Sequence, residues 1–251
     1  MIYEQNRHKG EKGMIEKALK YVVNLSTPFV TEINGRKYSD RALGRVESEH
    51  YAKYITLSTL SSLVEYIKSG VDAMKGSMIV HVESPTCVNL FSMLDDDRQR
   101  ECVVQVRAKL PHVDVNTYVE RESFNIALQS KFAKNEDRDL LLKFVGTVEN
   151  GTVQQYGDDG VSQKATIKTG IATKGDAIVP NPVKLRPYRT FLEVAQPESA
   201  FVFRMKEGRL GGIDCAIFEA DGGAWEYEAM ERIKYYLKEA LEDIGGYIII
   251  S

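Results

Sequence analysis

The sequence predicts an α+β fold: a largely antiparallel sheet with several helices, one of them long and near the C-terminus. Three observations carry this. From Met78 onward, apolar and β-branched runs follow one another across turn residues, without the strict strand and helix alternation that builds a parallel α/β sheet. Helical spacing of apolar residues recurs at separate places along the chain. Over 224–243, Trp225, Ala229, Ile233, Leu237 and Leu241 fall on one helical face.

Taken in order, residues 1–13 read as a polar, mobile lead-in, and 14–251 as a single domain. Met14, Ile15, Ala18, Leu19, Val22 and Val23 then mark a short amphipathic helix that Thr27-Pro28 ends. Phe29 to Ile33 and Arg36 to Tyr38 flank Asn34-Gly35, the dipeptide that favours a two-residue hairpin turn. A helix is expected over 56–69, with Leu57, Leu60, Leu63, Val64 and Ile67 on one face and Gly70 as its stop. Met78 to Val82, Cys87 to Leu94 and Cys102 to Val106 read as a meander, with Asp95 to Asp97 in a polar turn. Helices follow over 124–132, capped by Ser123, and 137–145, capped by Asn135. Gly157 to Gly160 is read as a turn, and Ala165, Ile167 and Thr169 alternate with polar residues as in a strand. Pro180, Pro182, Pro187 and Pro197 forbid helix through their region. Phe201 to Met205 and Cys215 to Phe218 are strands around a glycine turn, Asp221-Gly222-Gly223 opens the long helix, and Tyr247 to Ile250 adds a last strand.

With 43% hydrophobic and 27% charged residues, the chain has material for a sizeable core, and its net charge of -3 gives no general pull towards polyanions. Any nucleic-acid site has to be a local patch. Cys87, Cys102 and Cys215 are odd in number, far apart and set among apolar neighbours, which suits buried free thiols in a reducing cytoplasm. No apolar run is long enough to span a bilayer, so no membrane partner is expected.

Five segments together resemble the YfdQ-like family of phage and prophage proteins, a domain of unknown function. They are Phe124 to Ser130, Tyr156 to Val161, Val179 to Phe191, Gln196 to Ser199 and Phe218 to Trp225. The likeness covers about residues 75–245. It implies a phage-derived origin and a cytoplasmic life inside a bacterial host, and it carries over no catalytic residue.

The most informative motif is Lys184-Leu-Arg186-Pro-Tyr188-Arg189-Thr-Phe191, which interleaves cations and aromatic rings as a site for phosphates and stacked bases does. Lys184, Arg186, Tyr188, Arg189 and Phe191 are the candidate ligand-binding residues. Residues 160–212 hold nine Lys and Arg against four Asp and Glu, a net of +5, whereas 214–243 hold three against nine, a net of -6. The alternative is that these two segments pair with each other, within a chain or between subunits, with Pro187 and the rings as a structural corner. Asp221-Gly222-Gly223 reads better as a helix cap than as a phosphate site, because Glu219, Glu226 and Glu228 crowd the same end. Asp95 to Asp97, Asp158 and Asp159 lack ligand spacing, and His8, His50, His81 and His112 stand alone, so no metal or other cofactor is proposed. No GxSxG, GxxxxGK[ST] or strand-borne GxGxxG occurs, which favours binding over catalysis. The sequence is therefore read as a non-enzymatic, homo-oligomeric phage accessory protein binding nucleic acid or a nucleotide in support of phage DNA metabolism. The alternatives are a counter-defence protein that sequesters a host signal nucleotide or host protein, a self-assembling structural protein, and an unrecognised metal-dependent hydrolase.

Overall fold

The structure, a computed structural model, describes residues 14–23, 28–33, 36–40, 51–73, 76–95, 98–147, 153–158, 163–169, 172–179, 181–208 and 211–251, with 153–179 described by the main chain alone. The fold is α+β and its sheets are largely antiparallel. The chain divides into two units, residues 1–51 and 52–251.

In the first unit, helix α1 spans 14–23 and carries its apolar stripe exposed, Met14 at 71% and Leu19 at 60%. Strands β1 (Val30–Ile33) and β2 (Arg36–Ser39) form the expected antiparallel hairpin. Its turn residues Asn34 and Gly35, like the lead-in 1–13, lie outside the described residues. Phe29 and Asp40 close the open end, the Phe29 amide donating to the Asp40 carboxylate at 2.7 Å.

The second unit has two apolar cores. The first lies between a five-stranded sheet and two helices. Strand β3 (Ile55–Leu57) precedes helix α2 (Leu60–Ser69), and strands β4 (Met78–Ser84), β5 (Cys87–Ser92) and β6 (Cys102–Arg107) make the meander. The expected helix over 56–69 is thus shorter. Ile55 to Leu57 run parallel to Val104 to Val106 instead, and the Thr59 side chain caps α2 by accepting from the Ser62 amide. Gly70 ends the helix at φ 60, the left-handed geometry that glycine adopts without cost.

The second core packs two helices on an antiparallel sheet. Strand β7 (Val119–Glu120) leads into α3 (Arg121–Ser130) and α4 (Glu136–Thr147). Glu120, not Ser123, caps α3, accepting from the amides of Glu122 and Ser123. The Asn135 cap stands as expected, accepting from Arg138 N at 2.9 Å. Strands β8 (Val153–Asp158), β9 (Gln163–Thr169) and β10 (Ala172–Val179) form a separate antiparallel sheet. Gly157 and Asp158 end β8 rather than turning, while Asp159 and Gly160 lie outside the described residues.

Strands β11 (Val183–Leu185), β12 (Ser199–Glu207) and β13 (Ile213–Glu219) join β7 in the order β11-β12-β13-β7. Strict alternation along β12 buries Phe201, Phe203 and Met205 against Phe124, Leu128 and Phe144 of the two helices. Helix α5 (Ala224–Ala240) buries Ala229 and returns to the first core with Ile233 and Leu237 beside Leu63 and Leu90, and β14 (Tyr247–Ile250) pairs parallel to β4. Both edges of the five-stranded sheet are therefore parallel pairings around an antiparallel centre.

All three cysteines are free; Cys87 and Cys215 are buried and Cys102 is half-buried. Burial pushes the Cys215 thiol up to about 12. Burial, with Glu83 as its neighbour, pushes that of Cys87 up to about 11. Among the described residues no helix is long and apolar enough to cross a membrane.

Candidate functional site

The basic and aromatic segment runs between the two cores. Lys184 lies on β11 with Val183 and Leu185 buried in the second core, and Phe191 enters the first core with Val194. The residues between make a corner whose main chain is fixed on every side. Ala133 N donates to Arg186 O at 2.8 Å, Tyr188 N to Lys131 O at 3.0 Å, and Pro187 sits opposite Phe132 in an isolated antiparallel bridge. Thr190 Oγ1 donates to Pro85 O at 2.6 Å, tying the corner to the β4–β5 turn. The buried Gln196 side chain closes it: Oε1 accepts from the amides of Arg189 and Thr190, and Nε2 donates to the carbonyls of Thr190 and Phe191. An amide with every polar atom bonded is the tolerable way to bury one.

The five candidate residues separate into two groups. Phe191 is 1% exposed and is a core residue, so it is no stacking platform. Arg189 is also turned inward. Its guanidinium stacks 3.9 Å from the Trp225 ring centroid, Nη1 bonds Glu219 at 2.9 Å, and Nη2 bonds Ser199 and lies 3.9 Å from Asp221. Desolvation lowers its pKa to about 10 although both carboxylates pull it the other way. Arg189 therefore joins the basic segment to the acidic one within the chain. Lys184, Arg186 and Tyr188 remain accessible. Lys184 and Arg186 both face Glu198, at 3.9 and 3.0 Å, and Tyr188 is half-buried.

Tyr188 and Trp225 line a cleft of about 280 Å³ together with the loop before β7. That loop contributes Leu110, Pro111, His112, Val113 and Val115, and Pro187, Arg189 and Glu219 complete most of the lining. Among the described residues that line it, Glu219 is the only carboxylate. Asn116 holds the loop in place: its side chain accepts from Glu219 N at 3.1 Å, and its own amide donates to Ile217 O at 2.8 Å. Its φ of 61 is one that asparagine tolerates better than most residues. At the rim, Asp114 lies 3.2 Å from His112 and 3.6 Å from Lys131.

A larger groove of about 550 Å³ along α5 is lined by Glu193, Glu228, Glu231 and Glu239 against Arg232, a charge balance that repels phosphates. The cleft beside Tyr188 is the better candidate. Sequence reasoning missed His112, Glu219 and Trp225 as its walls. Trp225 reads as a core residue by its helical spacing, yet it is half-buried and spends one ring face on Arg189. The Asp221-Gly-Gly turn does not supply the expected side-chain cap: Gly223 is the N-cap of α5 at φ 83, with no side-chain cap bond, and Asp221 Oδ1 accepts instead from Gly223 N at 3.2 Å within the turn. Among the described residues no group of three or more His, Cys, Asp or Glu side chains is placed to hold a metal ion. Comparison with protein families, with curated proteins and with solved structures gives no match for the chain.

Proposed function

We propose that this chain is a non-enzymatic binding protein for a nucleotide or for the unpaired bases of a nucleic acid, acting as a phage accessory protein in DNA metabolism. The phage setting comes from the five resembling segments. The observation that supports binding is the cleft itself, where Tyr188 and Trp225 stand with aliphatic walls in a space of about 280 Å³. That is close to the lower end of small-molecule sites, and it suits one ring system rather than an extended ligand. The one guanidinium among the described lining residues, Arg189, is already paired, so a phosphate has no reason to enter. Phosphates belong instead with Lys131, Lys184 and Arg186, whose partners Asp114 and Glu198 are partly exposed. Exposed ion pairs contribute roughly 0 to 1 kcal/mol, so an incoming phosphate displaces them cheaply.

Binding of short single strands and cyclic dinucleotides, measured at two salt concentrations, tests this reading. Tyr188→Ala is expected to weaken binding by roughly 1 to 3 kcal/mol, the worth of one stacked base, at either salt concentration. Arg186→Ala is expected to weaken it modestly and to flatten its salt dependence. A folded wild-type protein that binds none of these ligands overturns the proposal.

A further inference from the structure

We infer that the cleft selects a base presenting two adjacent N–H donors on its edge, which among the common bases is guanine, and that Glu219 is the specificity-determining residue. This rests on the proposed base-binding reading. The cleft walls are mostly rings and aliphatic groups, which accept any base, so discrimination has to come from the few polar groups in the lining.

Glu219 is the one carboxylate among the described lining residues, and an ionised carboxylate accepts through two oxygens with about four lone-pair sites. Arg189 Nη1 uses one site on Oε1, at 2.9 Å. The backbone beneath is fixed by Asn116 and by the β12–β13 ladder, in which Glu219 stands opposite Phe201, and the carboxylate itself is oriented by its bond from Arg189. An acceptor-only group of this kind matches the N1–H and exocyclic amine of guanine, which point the same way. It opposes adenine, whose N1 lone pair would face it. Because Arg189 already pairs with Glu219, a neutral donor edge fits better than a cation, which would have to share the carboxylate with that guanidinium. Bases presented in this way, stacked on a ring and bonded along the Watson–Crick edge, are the usual form of single-strand readout.

The experiment compares GMP, IMP and AMP on the wild-type chain by isothermal titration, with arginine methyl ester as a cationic planar control, and repeats GMP and IMP on Glu219→Gln. IMP keeps N1–H and lacks the exocyclic amine, so GMP is expected to bind about tenfold tighter than IMP, the worth of one bond to a charged group, and AMP weakest. Glu219→Gln is expected to close the gap between GMP and IMP. Equal affinity for the three nucleotides overturns the guanine inference while leaving base binding intact. A gap that persists in Glu219→Gln overturns the role of Glu219, and preferential binding of the arginine ester overturns the choice of a neutral edge. Failure of all three nucleotides to bind overturns the base-binding reading itself. Should the variant not fold, the wild-type comparison of GMP with IMP still decides the inference.

Discussion

At the scale of single residues, Arg189 shows how one side chain can belong to the fold although its composition suggests a ligand. It is 12% exposed, stacked on Trp225, and set between Glu219 and Asp221. Removing one partner of such a cluster leaves the other charges poorly solvated. Arg189→Ala is therefore expected to destabilise the chain by about 3 kcal/mol, read as a lower urea midpoint at unchanged slope. Arg189→Lys should recover little, because an ammonium neither lies flat on the indole nor forks between two carboxylates. An unchanged midpoint for the alanine variant would place Arg189 in solvent. None of this pairing is legible in the sequence at Arg189 itself, since its ring and carboxylate partners lie 30 to 36 positions further on. The excess of acids over 214–243 is the one trace of it.

Among elements, what the sequence discloses divides between local and distant causes. Gly70, Asn135 and the spacing of Ala229, Ile233 and Leu237 act within a helical turn or two, and the helices they mark are present. Ile55 to Leu57 follow an apolar spacing that also suits a helix, and only the partner strand, some 50 residues away, draws them into the sheet. The cap of α3 is similar: Ser123 and Glu120 are both able to accept amide protons, and the two-residue pairing of β7 with β13 decides for Glu120 by setting where the chain turns. Leu237 is fully buried between helix and sheet, so Leu237→Ala is expected to cost on the order of 2 to 5 kcal/mol, measured by chemical denaturation. A cost below about 1 kcal/mol would mean that this face does not form the first core.

Across the second unit, the opposite charges of the two C-terminal segments have a structural use. The basic segment turns a corner from one core to the other, and the acidic one meets it there through Glu219 and Asp221. Among the described cations of 160–212, Lys184, Arg186, Arg189, Arg204 and Lys206 each bond an acid, a carbonyl or a ring. The charge pattern by itself is therefore no argument for a polyanion. What supports ligand binding is the shape left where corner, loop and α5 meet, and the unused ring surface in it. Trp225 is the only tryptophan of the chain and lines that cleft, so its emission reports on the site alone. The most direct measurement is the fluorescence of the wild-type protein, corrected for absorbance, during titration with a cyclic dinucleotide and with a short guanine-containing single strand. A saturable change in emission that weakens in Tyr188→Ala is the result predicted; emission that stays constant in both titrations, with the protein folded, contradicts it.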